Sequence, residues 1–419
     1  MNLAIPRGTG VATYARSLGA CVTGMGHAVD LLFGMDMPAG ADPEVEFFEQ
    51  LQTERGYRRP KYPSPAWMRA MLRSQGGERA AMISMTGRVD ARPMAGRLPP
   101  YDRILNADNL FGRAAHYFRV FGRFVRVRMP DPPAIMHWTY PVPLLLEGAR
   151  NIYTVHDLVP LRMPYATLDH KPTHARLLRE CLRLGDHVVT VSKRSREDLF
   201  SFFPDADPAR VTNTYQAVTP VGPMLGPDQL THLLQDGFGL LPGGYFLYFG
   251  SIEPKKNVGR LLQAFLASDI AIPLVVVMAR GWQAAGEAAL LDRPPGDTRI
   301  KRIEYVSPSM LTTLIQGARA VTFPSLYEGF GLPVVEAMQM GTPVLTSREG
   351  SLPEVGGDAV LYVDAYDVAS IANGLVRLAG DDSICAELRT LGLLQAAAFS
   401  MPRYAEQIGA LYDRVLEAT

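Results

Sequence analysis

Short runs of apolar and β-branched residues recur along the chain at the spacing of alternating strands and helices. They are AVDLLF at 28–33, NIYTV at 151–155, HVVTV at 187–191, YFLYFG at 245–250, PLVVVM at 273–278 and AVTFP at 320–324. Several are apolar on both faces, as strands covered by helices on both sides are, and so predict parallel sheets in doubly wound α/β domains. Between them, Val11, Tyr14, Ala15, Leu18 and Val22 fall on one helical face, as do Val258, Leu261, Leu262 and Phe265. A terminal helix is expected over 403–419, with Tyr404, Ile408, Leu411 and Val415 on one side.

A chain of 419 residues exceeds what one hydrophobic core usually serves, so two domains are expected. The Pro- and Gly-rich stretch TPVGPMLGPDQLTHLLQDGFGLLPGG, at 219–244, precedes a new strand and places the boundary. The division is an N-terminal α/β domain over 1–218 and a C-terminal α/β domain over 219–402, with 403–419 joining the first. Hydrophobic residues make up 47% and charged residues 20% of the chain, which excludes a disordered or fibrous protein. No run of 18 uninterrupted apolar residues suggests a membrane span, and MNLAIPRGTG has no signal-peptide pattern, so a cytoplasmic location is expected. Cys21, Cys181 and Cys385 are scattered and read as reduced core thiols, with no metal site among them.

The zero net charge conceals an asymmetry. Residues 1–218 hold 28 Lys/Arg against 21 Asp/Glu, and residues 51–130 alone hold 16 against 5, which points this surface at something anionic. Within it, FGRAAHYFRVFGRFVRVRMP (111–130) has five arginines, four phenylalanines and no acid. That pattern suits peripheral contact with the inner face of an anionic membrane. A core helix with solvated arginines fits it as well.

The chemistry concentrates in FPSLYEGFGLPVVEAMQMGTPVLTS, residues 323–347. A strand, a turn through Gly329 and Gly331, and a helix opened by Pro333 leave backbone N–H groups near Gly331, Leu332 and Val334 free to meet a phosphate or a sugar hydroxyl. Glu328 and Glu336 flank this turn and can accept hydrogen bonds from one polyhydroxylated ligand. The bland reading is a capped core helix with a solvated glutamate. A second strand end, GSIEPKKNVGRLLQAF at 250–265, brings Lys256 and Lys255 to the carboxyl edge of a sheet, where they can neutralise a diphosphate. Taken alone, lysines before a helix are usually just solvated. Gly8-Thr9-Gly10 is a third and weaker turn before a helix. His156 and Asp157 end the NIYTV strand and should face the cleft.

Together these stretches resemble the family 4 retaining glycosyltransferases, of the glycosyltransferase group 1 type. The resemblance covers nearly the whole chain, and E-G-F-G-L-P-V-V-E from Glu328 to Glu336 carries its signature glutamate pair. It implies a GT-B fold of two Rossmann-like domains facing a cleft. It further implies that Glu328 contacts the donor sugar and that the amides of Phe330, Gly331 and Leu332 hold its hydroxyls and phosphate. Glu336 would bind the ribose, Lys256 the leaving diphosphate, Tyr305 and Val306 the nucleobase, and His156 would line the sugar and acceptor pocket. Many members have an arginine where this chain has Ser251, which shifts charge neutralisation onto Lys256 and Lys255. The family also has a complete strand before the first glycine turn, whereas seven residues precede Gly8 here, so the N-terminal domain is expected to lack its first strand.

The expected activity is transfer of a hexose, of mannose or glucose type, from a GDP- or UDP-linked sugar to a glycan or lipid-linked saccharide in surface polysaccharide synthesis. Retention of configuration follows from the resemblance. No metal or cofactor beyond the nucleotide-sugar co-substrate is called for, and no nucleic acid partner is expected. A GT-B epimerase or phosphorylase and a non-catalytic sugar-nucleotide-binding protein are the alternatives.

Overall fold

The structure is a computed structural model that describes the chain except for residues 1–9, 39, 53–63, 91–97, 169, 220–221, 280–298, 305 and 419. The C-terminal half holds a six-stranded sheet. Its strands run in the spatial order Ile300–Ile303, Leu274–Ala279, Phe246–Ser251, Ala320–Phe323, Val344–Ser347 and Leu361–Val363. Every neighbouring pair is parallel. Numbered along the chain, that order is 3-2-1-4-5-6, the doubly wound arrangement. The apolar runs explain it: Leu274, Val275, Val276, Ala320 and Val321 are fully buried, covered on both faces as parallel strands must be.

The N-terminal half has a four-stranded parallel sheet in the order Ile135–Trp138, Arg150–Val155, His187–Thr190, Val211–Asn213. Two three-stranded sheets accompany it. In one, Asp30–Phe33 pairs in parallel with Arg103–Asn106, whose other edge takes Ala81–Ile83 antiparallel. In the other, Val125–Arg128 lies between Glu78–Arg79 and Leu144–Leu146. The first described element is the helix Gly10–Gly24, with Tyr14, Ala15 and Leu18 buried. The expectation of a missing first strand falls on residues 1–9 and so lies outside the described residues.

One sequence expectation is modified and two are filled in. The 219–244 stretch, expected to hold the domain boundary, contains a helix, Pro227–Phe238, that buries Leu230 and Leu234. Proline and glycine sit at its two ends, where they open and close a helix, with Gly239 left-handed at the C-terminus. The basic 111–130 segment divides into a helix, Leu110–Phe121, and a strand, Val125–Arg128. Arg113 in that helix is buried against Glu78, Nη2 to Oε2 at 2.8 Å, and so is not a solvated surface arginine. The terminal helix, Met401–Glu417, packs along the N-terminal half: its Tyr404 ring meets that of Tyr14, centroids 6.4 Å apart, and its Leu411 and Val415 pack on Ile152 and Val189 of the N-terminal sheet, while Tyr404 and Ile408 also join the large core cluster that runs on into the C-terminal half. Cys21, Cys181 and Cys385 are all free and buried.

Candidate active site

In a 3-2-1-4-5-6 sheet the ligand crevice opens beyond the carboxyl ends of strands 1 and 4, where successive crossovers leave in opposite directions. Here those strands are Phe246–Ser251 and Ala320–Phe323. The segments that follow them carry Lys255 and Lys256 on one side and Glu328 to Gly331 on the other.

The Glu328 loop is held rigidly. Leu326 N–H donates to the Lys255 carbonyl at 2.7 Å. Ser351 Oγ donates to the carbonyls of Glu328 and Phe330, at 3.0 and 2.8 Å. Asn257, in the left-handed conformation at φ 60°, donates to the Pro324 and Ala365 carbonyls at 2.9 and 2.7 Å. The loop ends at Gly331, whose φ of 102° only glycine adopts readily, and the helix Leu332–Gln339 starts with no side-chain cap. The backbone N–H groups of Phe330, Gly331 and Leu332 have no acceptor among the described residues. Three unpaired donors at the positive end of a helix form a ready anion site. Gly10 lies against this helix start, since a Cβ there would meet Leu332 Cδ1 at 3.4 Å. The N-terminal end of the Gly10–Gly24 helix therefore converges on it.

Lys256 Nζ stands 2.7 Å from Glu328 Oε1, with both side chains nearly buried, and 4.8 Å from the centre of the Phe323 ring. Lys255, its neighbour in sequence, points elsewhere. Its Nζ is 3.6 Å from Asp157 Oδ2, across the crevice. Burial alone would depress this ammonium, but Asp157, Glu328 and Glu253 outweigh it and push its pKa up. Burial likewise opposes ionisation of Asp157, yet Lys255 and the Val159 N–H hold its carboxyl below the usual range. The two lysines expected to share a diphosphate thus face different carboxylates, and Lys256 is the one paired with Glu328, at the start of the loop that carries the free N–H groups. Ser251 is occupied locally, its Oγ donating to Glu253 Oε1 at 2.7 Å.

Glu336 lies one turn into the helix and makes no hydrogen bond among the described residues. Burial raises its carboxyl to about 7, against a smaller opposing effect of Lys256. On the facing side, His156 sits just beyond the strand Arg150–Val155, with Nε2 2.8 Å from the Thr139 carbonyl. Burial lowers its pKa, so the ring is neutral and Nε2–H is the donor to that carbonyl. The Tyr14 ring meets it edge-on, centroids 4.9 Å apart. Val306 is partly buried against the C-terminal core. Gly8 and Tyr305 lie outside the described residues.

The two halves touch through residues that carry no motif. Ser195 Oγ is 3.0 Å from the His156 carbonyl and 3.3 Å from that of Gly329. Glu354 accepts from the N–H groups of Lys193 and Arg194, at 3.0 and 2.9 Å, at the start of the helix Lys193–Phe202. Asp198 accepts from the Tyr327 hydroxyl. Sequence reasoning missed Ser195, Asp198, Tyr327, Ser351 and Glu354. The one usable signal was that Tyr327 lies within the 323–347 stretch, next to Glu328, whereas Ser195, Asp198, Ser351 and Glu354 lie outside every stretch singled out above.

Parallel α/β sheets in both halves, with a lysine–glutamate pair and a helix N-terminus at the carboxyl edge of the six-stranded sheet, are the architecture of GT-B glycosyltransferases. The model of the family described as glycosyl transferases group 1 matches residues 242–391. Over 257 residues the chain is 35% identical to O-antigen chain mannosyltransferase B of Escherichia coli, covering 60% of this chain and 67% of that protein. It is 26% identical to the MMP alpha-(1->4)-mannosyltransferase of Mycolicibacterium hassiacum, over 97% of this chain and 95% of the relative. Anabaena HepE, solved with UDP and glucose, shares the fold at a TM-score of 0.61 and 13% identity, over 92% of this chain and 100% of the other. The chain belongs to the group 1 glycosyltransferases.

Proposed function

We propose that the chain moves a hexose, mannose before glucose, from a GDP- or UDP-linked donor to a glycan or lipid-linked saccharide in surface polysaccharide synthesis, with retention of anomeric configuration. The observation that carries this is the Lys256–Glu328 pair at 2.7 Å at the start of the loop whose Phe330, Gly331 and Leu332 N–H groups have no acceptor among the described residues. Lys256 and the helix N-terminus meet the diphosphate, Glu328 meets the sugar hydroxyls, and Glu336 accepts from the ribose. The names of two relatives, both mannosyltransferases, favour mannose.

As the glycosidic C–O bond breaks, negative charge develops on the diphosphate, and Lys256 with the helix N-terminus stabilises it without a metal ion. The acceptor hydroxyl attacks the face the diphosphate is leaving, and a phosphate oxygen takes its proton. No enzyme nucleophile is required. His156, neutral and fixed by Thr139 and Tyr14, lines the sugar pocket from the other side. Product analysis with donor alone and with donor plus acceptor tests this. Transfer only when acceptor is present, with the α configuration kept, is expected. A trapped sugar adduct on Asp157, Glu328 or Glu336 would overturn the front-face route, and release of free sugar regardless of acceptor would favour an epimerase.

The lipid-linked form of the acceptor has its own support. Val120 and Phe121 are 44% and 46% exposed at the end of the Leu110–Phe121 helix, and Arg119 and Arg123 beside them are exposed. Among the described residues no helix is long and apolar enough to cross a membrane, so contact would be peripheral. The protein should sediment with phosphatidylglycerol vesicles at low salt, and Arg119→Glu/Arg123→Glu should abolish this. If the unmutated chain stays in the supernatant, the membrane contact is wrong.

A further inference from the structure

The helix Lys193–Phe202 carries a carboxylate that the chemistry proposed above does not use. Asp198 is 2% exposed. Its Oδ1 lies 3.1 Å from Arg162 Nη2 and 3.2 Å from Arg194 Nε, and its Oδ2 accepts the hydroxyl hydrogen bond of Tyr327. These partners come from three segments with different duties. Arg194 belongs to the same helix. Arg162 closes the short helix Val159–Arg162, which begins two residues after Asp157. Tyr327 immediately precedes Glu328.

Tyr327 is 4% exposed, and burial, reinforced by the neighbouring Asp198, pushes its phenol well above the usual range. It therefore keeps its proton and donates it. The Tyr327 ring packs among Val159, Met163, Ala166, Leu326 and Ala365, an apolar cluster drawn from both sides of the crevice. Burial of a carboxylate is costly, and apolar groups fill such a space at least as stably. An ionised group kept here is therefore better explained by the geometry it imposes than by stability.

We propose that Asp198 is the positioning residue of the donor site. Through Tyr327 it sets where the Glu328 carboxylate stands, and through Arg162 it ties the segment after His156 and Asp157 to the same point. One buried charge thus aligns the sugar-facing groups of both halves. The groups assigned to the diphosphate have anchors of their own, Ser351 Oγ on the Phe330 carbonyl and the Phe323 ring 4.8 Å from Lys256 Nζ, and so depend on Asp198 less than Glu328 does.

This inference rests on the donor-site reading, and the test separates the two. Calorimetry would compare GDP-mannose with GDP, and UDP-glucose with UDP, for the unmutated chain, Tyr327→Phe, Asp198→Asn, Asp198→Ala and the Tyr327→Phe/Asp198→Asn double variant. Tyr327→Phe keeps the ring and its packing, so it should fold even if Asp198→Ala does not. A hydrogen bond to a charged group supports an expected loss of about tenfold or more in nucleotide-sugar affinity for Tyr327→Phe. Affinity for GDP or UDP alone should stay within about twofold. Asp198→Asn, which can still accept from Tyr327, should retain more than Asp198→Ala, and the double variant should lose no more than its worse single parent. Equal loss for nucleotide and nucleotide sugar, no loss in Tyr327→Phe, or additive losses would each overturn the positioning role. If the unmutated chain binds none of the four probes, the donor-site reading itself falls.

Discussion

Gly329 is the point where the Glu328 loop meets the opposite half, and replacing it with alanine tests whether that contact governs catalysis. A Cβ at Gly329 would lie 2.2 Å from the His156 carbonyl oxygen and 2.8 Å from Asp157 Cβ. Carbon and oxygen in ordinary contact stand about 3.3 Å or more apart, so the two segments must separate by about 1 Å. Neither side yields easily. The neighbour is the end of a buried strand, and the loop is pinned by Ser351 and by the Lys256–Glu328 pair. The separation would stretch the Ser195 bridge to both carbonyls. Misplacement of about 1 Å between reacting groups costs about a hundredfold in rate, and overpacking costs about 1–3 kcal/mol of stability. The assay is kcat for transfer from the nucleotide sugar, measured well below the melting temperature, with Gly380→Ala as the control. Gly380 ends the helix Val368–Gly380 and has nothing within 4 Å of its would-be Cβ, so alanine there should leave kcat unchanged. Gly329→Ala with kcat within threefold of the unmutated chain would refute the claim that this contact aligns the site.

Two further outcomes follow from the charges. Lys256→Met leaves Glu328 buried without its cation, which should cost about 3 kcal/mol by chemical denaturation. Adding Glu328→Gln should recover most of that stability while transfer stays abolished, and recovery of activity would contradict the role given to Lys256. Glu336, raised by burial to about 7 from 4.5, binds its proton more tightly in the folded chain than in the unfolded one. Its contribution to stability is therefore full below about pH 4.5 and is lost as pH rises through about 7, by up to about 3 kcal/mol. Nucleotide affinity should run the other way, rising through pH 7 as the carboxylate that accepts from the ribose forms. Glu336→Gln should flatten both profiles, and an unchanged pH dependence in that variant would remove Glu336 from the site.

Local signals accounted for much of the architecture. Apolar runs such as LVVVM, at 274–278, are too uniformly apolar for anything but a strand covered on both faces, and the structure has them so. The Gly331 turn with Pro333 behind it reads as a helix start because both residues act through their own backbone dihedrals. The same locality explains what was not legible. Pro and Gly in 219–244 mark a boundary without revealing the Pro227–Phe238 helix they bracket, since punctuation marks an end without saying what lies between. Arg113 read as a surface cation because Glu78, which neutralises it, is 35 residues away in sequence.

For the site, the sequence by itself determined which residues end the strands around the crevice: His156 and Asp157, the two lysines, and the Glu328–Glu336 segment. Strand ends are set by nearest-neighbour preferences, and a doubly wound sheet delivers every strand's carboxyl end to the same edge. Only the tertiary structure decided how those residues divide the work. Lys255 and Lys256 are adjacent in the chain, yet one faces Asp157 across the crevice and the other faces Glu328. Tyr327 and Asp198 are separated by 129 positions and meet in one hydrogen bond. The physical reason is that a charge takes its partner, and hence its ionisation state, from whatever folding brings within a few ångströms. No local pattern encodes that choice.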